Sequence, residues 1–89
     1  MRSRTTRDFW KLFAALPADV RQRAYKAHRL FLQDPSHPGL QFKEVDSKHH
    51  LWSARITRGW RVMGQRDGDE ITWTWIGGHD EYLELINKR

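Results

Sequence analysis

Hydrophobic residues in the first third of the chain recur with the period of an α-helix. In residues 7–16 they follow the i, i+3, i+4, i+7 spacing of one helix face, and Pro17 ends this segment because the residue before a proline avoids the α conformation. Pro17 also opens a second helix, which runs to about Gln33 before the turn DPSHPG. The pattern therefore predicts a helical hairpin with one apolar face and a basic outer surface. Its apolar positions are Phe9, Leu12, Phe13 and Leu16, then Val20, Ala24, Ala27, Leu30 and Phe31.

From Leu40 onward the period changes from 3.6 to two, which is typical of β-strands. A short strand around Leu40–Val45, whose alternation slips at Glu44, precedes the loop DSKHH. Gly59 is predicted to adopt the left-handed conformation in a three-residue hairpin loop, and Asp67-Gly68 to form a two-residue type I′ turn. The three strands that these turns separate are predicted at 51–57, 60–66 and 70–76.

The two turns together define a strand register, and it gives one apolar face. Trp60 is expected opposite Ile56 and Trp75, and Gly64 opposite Ile71. The apolar face then comprises Trp52, Ala54, Ile56, Trp60, Val62, Ile71, Trp73 and Trp75, so the tryptophans are expected in the core rather than in base stacking. The opposite face is expected to be wet, and it carries Ser53, Arg55, Arg61, Met63, Gln65, Thr72 and Thr74.

The C-terminal segment completes the predicted architecture. Gly77-Gly78 is expected to end the last strand, and HDEYLELI to form a short helix or turn in which His79 and Tyr82 share a side. We predict a single α+β domain over residues 1–89, with the two-helix hairpin packed on a small, curved, mostly antiparallel four-stranded sheet. No apolar run is long enough to span a membrane and no signal peptide is discernible, so a cytoplasmic location is expected.

Charge points to a polyanionic partner. The chain has 16 Lys and Arg against 11 Asp and Glu, a net charge of +5 and a pI near 10.1. The excess lies in residues 1–66, which carry 14 basic and 5 acidic side chains, whereas residues 67–89 carry 2 basic and 6 acidic ones. Nucleic acid is the simplest partner for such a basic body. Cysteine is absent, which excludes disulfides, cysteine-ligated metals and a thiol nucleophile.

The candidate chemistry centres on Arg55 and Arg61, which the register places opposite each other. Like charges in a cross-strand pair are destabilising, and an anion between the two guanidinium groups would relieve the repulsion. The alternative is a pair of solvated arginines that never meet. His79, at the strand exit, is a candidate acid or base, with a structural histidine as the alternative. His49-His50 lacks a second pair with ligand spacing, so neither a metal nor another cofactor is expected.

The sequence resembles the RelE/ParE superfamily of bacterial type II toxins. The motifs that carry the resemblance are FWKLFAALP, FLQDPSHPGL, LQFKEV, LWSARITRGWRVMG and WTWIGGHDEY, which together cover nearly the whole chain. The middle motif is closest to the RelE-like branch. That resemblance implies the fold just described, a cognate antitoxin as partner, and a ribosome-dependent endoribonuclease that cuts mRNA by attack of a 2′-hydroxyl on the adjacent phosphate.

The resemblance also implies roles for individual residues. Arg55 and Arg61 would stabilise the phosphate, His79 would act as acid or base, and Tyr82 would stack on or orient the nucleotide. Some relatives use a glutamate as the base, but no glutamate aligns in DSKHHLW, where Asp46, His49 or His50 could substitute or the base could be missing. We further expect the basic face of the helical hairpin to contact rRNA. The residues expected to bind RNA are Lys43, Lys48, His49, His50 and Arg58.

Two other functions stay open at the sequence level. The ParE branch shares the fold but poisons DNA gyrase, and such a protein would trap cleaved DNA without affecting mRNA. A degenerate toxin would only bind its antitoxin or nucleic acid, and its overexpression would be harmless.

Overall fold

The computed structural model describes residues 1–88, which form three α-helices, one short 3-10 helix and a five-stranded sheet. The helices are α1 (Arg7–Ala14), α2 (Ala18–Gln33) and α3 (His79–Asn87), and the 3-10 turn is Pro38–Leu40. The strands are β1 (Arg2–Thr5), β2 (Lys43–Asp46), β3 (Leu51–Thr57), β4 (Trp60–Asp67) and β5 (Glu70–Gly78). The α+β class, the helical hairpin and the C-terminal helix are therefore as predicted.

The sheet has one strand more than the sequence predicted. Its order is β1-β5-β4-β3-β2, with β1 parallel to β5 and the other neighbours antiparallel. The strand β1 reads RSRT, so it carries no apolar alternation by which it could be found. Its exposed Arg2 and Arg4 face Glu70, at 3.8 and 3.3 Å, as is common for charged side chains on a sheet edge.

Two apolar clusters lie on the two faces of this sheet. The main core joins α1 and α2 to one face and includes Phe13, Phe31, Ile71 and Trp73. The second cluster joins α3 to the other face, where Tyr82 packs with partners that include Leu51, Met63 and Trp75. The molecule thus has three layers, and the face that was expected to be wet is partly covered: Met63 is buried there, and Ser53 is only 2% exposed.

Both predicted hairpin turns are shifted. Arg55 does pair with Arg61 and Ala54 with Val62, but Thr57 rather than Ile56 pairs with Trp60 because the register shifts between Arg55 and Thr57. The loop is therefore Arg58-Gly59, and Gly59 does not adopt a positive φ. A similar irregularity in β2 lies between Glu44 and Asp46, where the alternation slipped in the sequence.

The β4–β5 turn is Gly68-Asp69 instead of Asp67-Gly68. Asp67 pairs with Glu70, and Gly68 has a φ of +58°, which is the pattern of a type II′ turn. The register then shifts again, since Gly64 pairs with Trp73 but Met63 pairs with Trp75.

The register shift between β4 and β5 reverses which side chains of β5, beyond Trp73, lie on the face covered by α1 and α2. Thr74 is the extra residue, so Ile76 enters the main core opposite Val62, and Trp75 turns to the α3 side. The prediction that Trp75 shares a face with Trp73 is therefore wrong. Gly77 and Gly78, expected to break the strand, are its last two residues.

Candidate functional site: a basic pocket between the sheet and the C-terminal helix

A pocket of about 220 Å³ lies where α3 covers the sheet. All four residues predicted to be catalytic line it, although they come from three different elements. Strand β3 supplies Arg55, β4 supplies Arg61, and α3 supplies His79 and Tyr82. The remaining lining residues are Gln41, Lys43, Ser53, Leu83 and Ile86.

Arg61 is fixed by the backbone of its own hairpin. Its Nη1 donates to the carbonyl oxygens of Thr57 at 2.6 Å, Trp60 at 3.0 Å and Arg58 at 3.3 Å. Within residues 1–88 no protein atom accepts a hydrogen bond from its Nε or Nη2. These two nitrogens form the edge of a guanidinium that binds a phosphate or carboxylate through two parallel hydrogen bonds. The side chain is therefore held in place with its anion-binding edge unused.

The electrostatics of the pair match this geometry. Arg55 is the direct cross-strand neighbour of Arg61, and no residue of the described chain forms an ion pair or a hydrogen bond with its side chain. Burial, and then the positive charge of Arg55, lower the pKa of Arg61 below its ordinary value, while Tyr82 acts in the opposite direction. The guanidinium of Arg61 nevertheless keeps its charge at neutral pH. Arg55 and Arg61 thus have no ion-pair partner among residues 1–88, Lys43 adds a third cation to the pocket lining, and an anion between the two guanidinium groups would lower their free energy.

His79 begins α3 at the mouth of the same hairpin. Its backbone N–H donates to the carbonyl of Gly59 at 2.8 Å, which attaches the helix to the β3–β4 loop. The imidazole is half-buried, and its centroid lies 6.1 Å from that of Tyr82. The predicted proximity of these two rings is therefore present.

Tyr82, to which the resemblance gives the role of stacking on or orienting the nucleotide, is buried in the structure. Only 4% of its surface is exposed, and its hydroxyl lies 2.9 Å from the Ser53 hydroxyl. Its ring forms part of the pocket wall and belongs to the apolar cluster under α3. Its geometry fits a residue that holds α3 on the sheet and orients what binds above it.

The sequence of residues 18–84, which is most of the chain, matches the family model of the ParE-like toxin domain. The protein belongs to the ParE-like toxin family. This confirms the predicted membership of the RelE/ParE superfamily of toxins. Among curated proteins, none matches the sequence.

Solved structures of related toxins share the fold of this ParE-like toxin. The RelE of a RelB-RelE antitoxin-toxin complex from Methanococcus jannaschii has a TM-score of 0.72 at 16% identity, covering 92% of this chain and 96% of the other. YafQ from E. coli strain BL21(DE3) has a TM-score of 0.69 at 12% identity, covering 93% and 99%. A YoeB/ParE toxin from Agrobacterium tumefaciens has a TM-score of 0.66 at 16% identity, covering 89% and 99%.

The residues predicted to bind RNA in this ParE-like toxin do not form one group. Lys43 lines the pocket, and Arg58 is exposed in the adjoining hairpin loop. Lys48, His49 and His50 lie in the loop before Leu51, at the opposite end of β3, roughly 20 Å from Thr57 at the rise of an extended strand. The structure therefore does not bring these three to the pocket.

The substitutes considered for the missing glutamate also lie away from the pocket. Asp46 accepts hydrogen bonds from the Lys48 backbone at 3.1 Å and pairs with the His49 ring at 2.8 Å, so its carboxylate closes its own loop. Neither Asp46 nor His49 nor His50 lines the pocket. His79 is its one imidazole, and no Asp or Glu is among its lining residues.

Four pocket residues were not predicted from the sequence to belong to a site: Gln41, Ser53, Leu83 and Ile86. Ser53 was assigned to the polar face of the sheet, which was correct, but its bond to Tyr82 depends on where α3 packs. Leu83 and Ile86 follow Tyr82 and His79 at helical spacing, and this signal could have shown that they share the pocket side of α3. Gln41 lies just after a turn, and nothing in the sequence separates it from an ordinary loop residue.

Two further properties concern the part of the chain that the structure describes. No group of three or more His, Cys, Asp or Glu side chains in residues 1–88 is arranged to hold a metal ion. None of the helices described is both long enough and apolar enough to cross a bilayer.

Proposed function

We propose that this toxin is a ribosome-dependent endoribonuclease that inhibits translation by cutting mRNA, and that the pocket between the sheet and α3 is its active site. The observation that carries the proposal is the cross-strand pair Arg55 and Arg61, whose charges repel one another and have no counterion among the described residues. Such a pair suits a phosphodiester that gains negative charge during reaction. A ribosomal target would place its action in the cytoplasm.

The chemistry would need three contributions. The 2′-oxygen of a nucleotide forms a bond to the adjacent phosphorus and loses its proton to a base, while the bond from phosphorus to the 5′-oxygen breaks and that oxygen takes a proton from an acid. The phosphorane between these steps carries extra negative charge. We assign its stabilisation to Arg61, through the free Nε and Nη2 edge, and to Arg55.

Proton transfer is assigned to His79. Histidine is the side chain that most often serves as a general acid or base, and the imidazole of His79 lines the pocket together with the two arginines. Tyr82 would position the nucleotide and α3 rather than exchange a proton, because its hydroxyl is already bonded to Ser53. Lys43 would contribute a further phosphate contact at the pocket edge.

Cleavage of mRNA in a translation extract tests the proposal. We expect the wild-type protein to cut mRNA only when ribosomes are present, and Arg61→Ala to lower the rate by about 100-fold or more, as when one fixed transition-state donor is removed elsewhere. Arg61→Lys keeps the charge but loses the two-pronged edge, so it should rescue only part of the rate. Arg2→Ala is the matched control, since it removes one exposed cation from β1, outside the pocket.

The absence of any cut with ribosomes present would overturn the proposal, as would an Arg61→Ala rate equal to that of Arg2→Ala. Trapped cleaved DNA in the presence of gyrase, without mRNA cleavage, would instead support the second candidate, a gyrase poison, which the ParE-like family description favours. Harmless overexpression would support a toxin fold that only binds partners.

A cognate antitoxin is the proposed protein partner. The solved relatives include RelE toxins in complex with RelB antitoxins. For this chain we expect an acidic, partly disordered segment that folds on the basic surface. Mixing with the product of the neighbouring gene should raise the melting temperature in a concentration-dependent way. An unchanged melting temperature would contradict this assignment.

A further inference from the structure

Gln41 is held in the pocket wall by an unusual backbone conformation. It follows the 3-10 turn Pro38–Leu40, and its N–H donates to the carbonyl of Pro38 at 3.3 Å. Its φ of 47° and ψ of 41° lie in the left-handed region, which glycine and asparagine occupy readily and glutamine seldom does. The backbone of Gln41 therefore has an energetically unfavourable conformation at the edge of the site. Backbone strain of this kind concentrates at functional positions.

The side chain of Gln41 has no partner within the described protein. It is exposed, it lines the pocket with Arg55, Arg61 and His79, and no hydrogen bond joins its carboxamide to residues 1–88. The other polar groups of the pocket are cations, an imidazole, and two hydroxyls that bond to each other. The carboxamide of Gln41 alone presents a carbonyl acceptor and an NH₂ donor side by side.

From these observations we propose that Gln41 determines the base preference of the nuclease by binding the edge of a nucleotide next to the cleaved bond. This inference rests on the proposed function. Cationic groups grip phosphates, which are the same in every nucleotide, whereas a carboxamide forms paired hydrogen bonds with the donor and acceptor groups of a base edge. Unpaired RNA exposes these edges once its bases are splayed apart.

Glycine provides the sharpest variant, because it removes the side chain and suits the left-handed backbone. We expect Gln41→Gly to melt at the same temperature as wild type or higher, and to keep cutting mRNA. Its preference among bases at the positions flanking the cut should fall by roughly 5- to 150-fold, the discrimination of one paired contact. Gln41→Asn keeps a carboxamide one carbon shorter and should retain part of the preference or shift it.

The measurement is sequencing of the 5′ ends produced from a pool of translated mRNAs. Lys43→Ala is the matched control at the same pocket wall: as a phosphate contact, it should slow every cut about equally and leave the sequence profile unchanged. If the wild-type protein cuts mRNA and Gln41→Gly cuts it with the same sequence profile, the role of Gln41 is overturned while the proposed function stands. No wild-type cutting with ribosomes present would overturn both this inference and the proposed function.

Discussion

The bond between Ser53 and Tyr82 illustrates how a single buried contact shapes this site. Both residues are nearly inaccessible to water, at 2% and 4% exposure, and their hydroxyls are 2.9 Å apart. A buried hydroxyl that loses its partner carries the full cost of its lost hydration, whereas removal of both hydroxyls leaves none unpaired. This contact joins the middle of β3 to α3, so it also defines the floor of the pocket.

A double-mutant cycle should reveal this asymmetry. We expect Tyr82→Phe and Ser53→Ala each to lower the free energy of unfolding by about 1–3 kcal/mol, because each leaves one hydroxyl without a partner. The double variant should lose less than the sum of the two single losses. Urea denaturation followed by tryptophan fluorescence gives all three values. Additive losses would show that the two hydroxyls do not interact.

At the scale of elements, a glycine inside β4 and a glycine in the β3–β4 loop allow a comparison. A Cβ on Gly64 would lie 2.5 Å from the carbonyl oxygen of Thr72, where β4 and β5 shift register, whereas a Cβ on Gly59 would meet no atom within 4 Å. Because the obstacle at Gly64 is backbone, only movement of the strand could relieve it.

Gly64→Ala should therefore destabilise the fold by about 1–3 kcal/mol or more, and Gly59→Ala should change stability by less than about 0.5 kcal/mol. The midpoints of urea denaturation compare the two directly. Equal midpoints for the two variants would contradict the close approach of β4 and β5 at Gly64.

The strand β1 contacts a histidine of α2, and burial of that histidine disfavours its protonation in the folded chain. Trp73 Nε1, which can only donate, lies 3.0 Å from the Ser3 hydroxyl, and His28 Nε2 lies 3.0 Å on its other side. The Ser3 hydroxyl can donate to Nε2 or accept a second hydrogen bond from it, according to the tautomer of the ring. Burial of the ring lowers the pKa of His28 below its usual value of 6.5.

This shift sets the direction of a pH dependence. Below pH 6.5 the unfolded chain binds a proton at His28 more readily than the folded chain does, so stability should fall as the pH decreases through that region. His28→Gln, which carries no titrating group, should lose less stability than wild type between pH 7.5 and pH 5.5. Urea midpoints at the two pH values test this, and parallel losses in both proteins would contradict it.

Elements with a strong apolar period were predictable, and those that depend on neighbours were not. The helices α1 and α2 follow directly from their apolar stripes, and the pairing of Arg55 with Arg61 follows from the register that the predicted β3–β4 hairpin implied. In contrast, β1 lacks a period because Ser3 faces inward between two exposed arginines, and the extra residue Thr74 leaves no trace in a run of alternating Thr and Trp. The same limit hid Gln41, whose position depends on how the 3-10 turn meets β3.

At the scale of the whole molecule, the uneven distribution of charge predicts salt-sensitive binding of RNA. The first 66 residues carry most of the basic side chains, and Asp80, Glu81 and Glu84 are on α3. Binding that depends on phosphate contacts releases counterions, so affinity for a single-stranded RNA should fall by about 300-fold or more between 50 and 200 mM salt if six or more phosphates are neutralised.

Fluorescence anisotropy with a single-stranded RNA measures this slope. Lys43→Ala should reduce the slope by about one, as expected for the loss of one phosphate contact. An affinity independent of salt would contradict the assignment of the basic surface to a polyanion.

The β3–β4 hairpin loop has a consequence for how the site can fail. Carbonyl oxygens of this loop and of the two residues flanking it orient Arg61, and the carbonyl of Gly59 accepts a hydrogen bond from the backbone N–H of His79, the first residue of α3. The same short backbone segment thus positions both Arg61, proposed to bind the phosphate, and His79, proposed to transfer the proton. A partner that changes the conformation of this loop would displace Arg61 and His79 together without contacting either side chain. Inhibition of the toxin would then require binding only at this loop, and the pocket itself would not have to be filled.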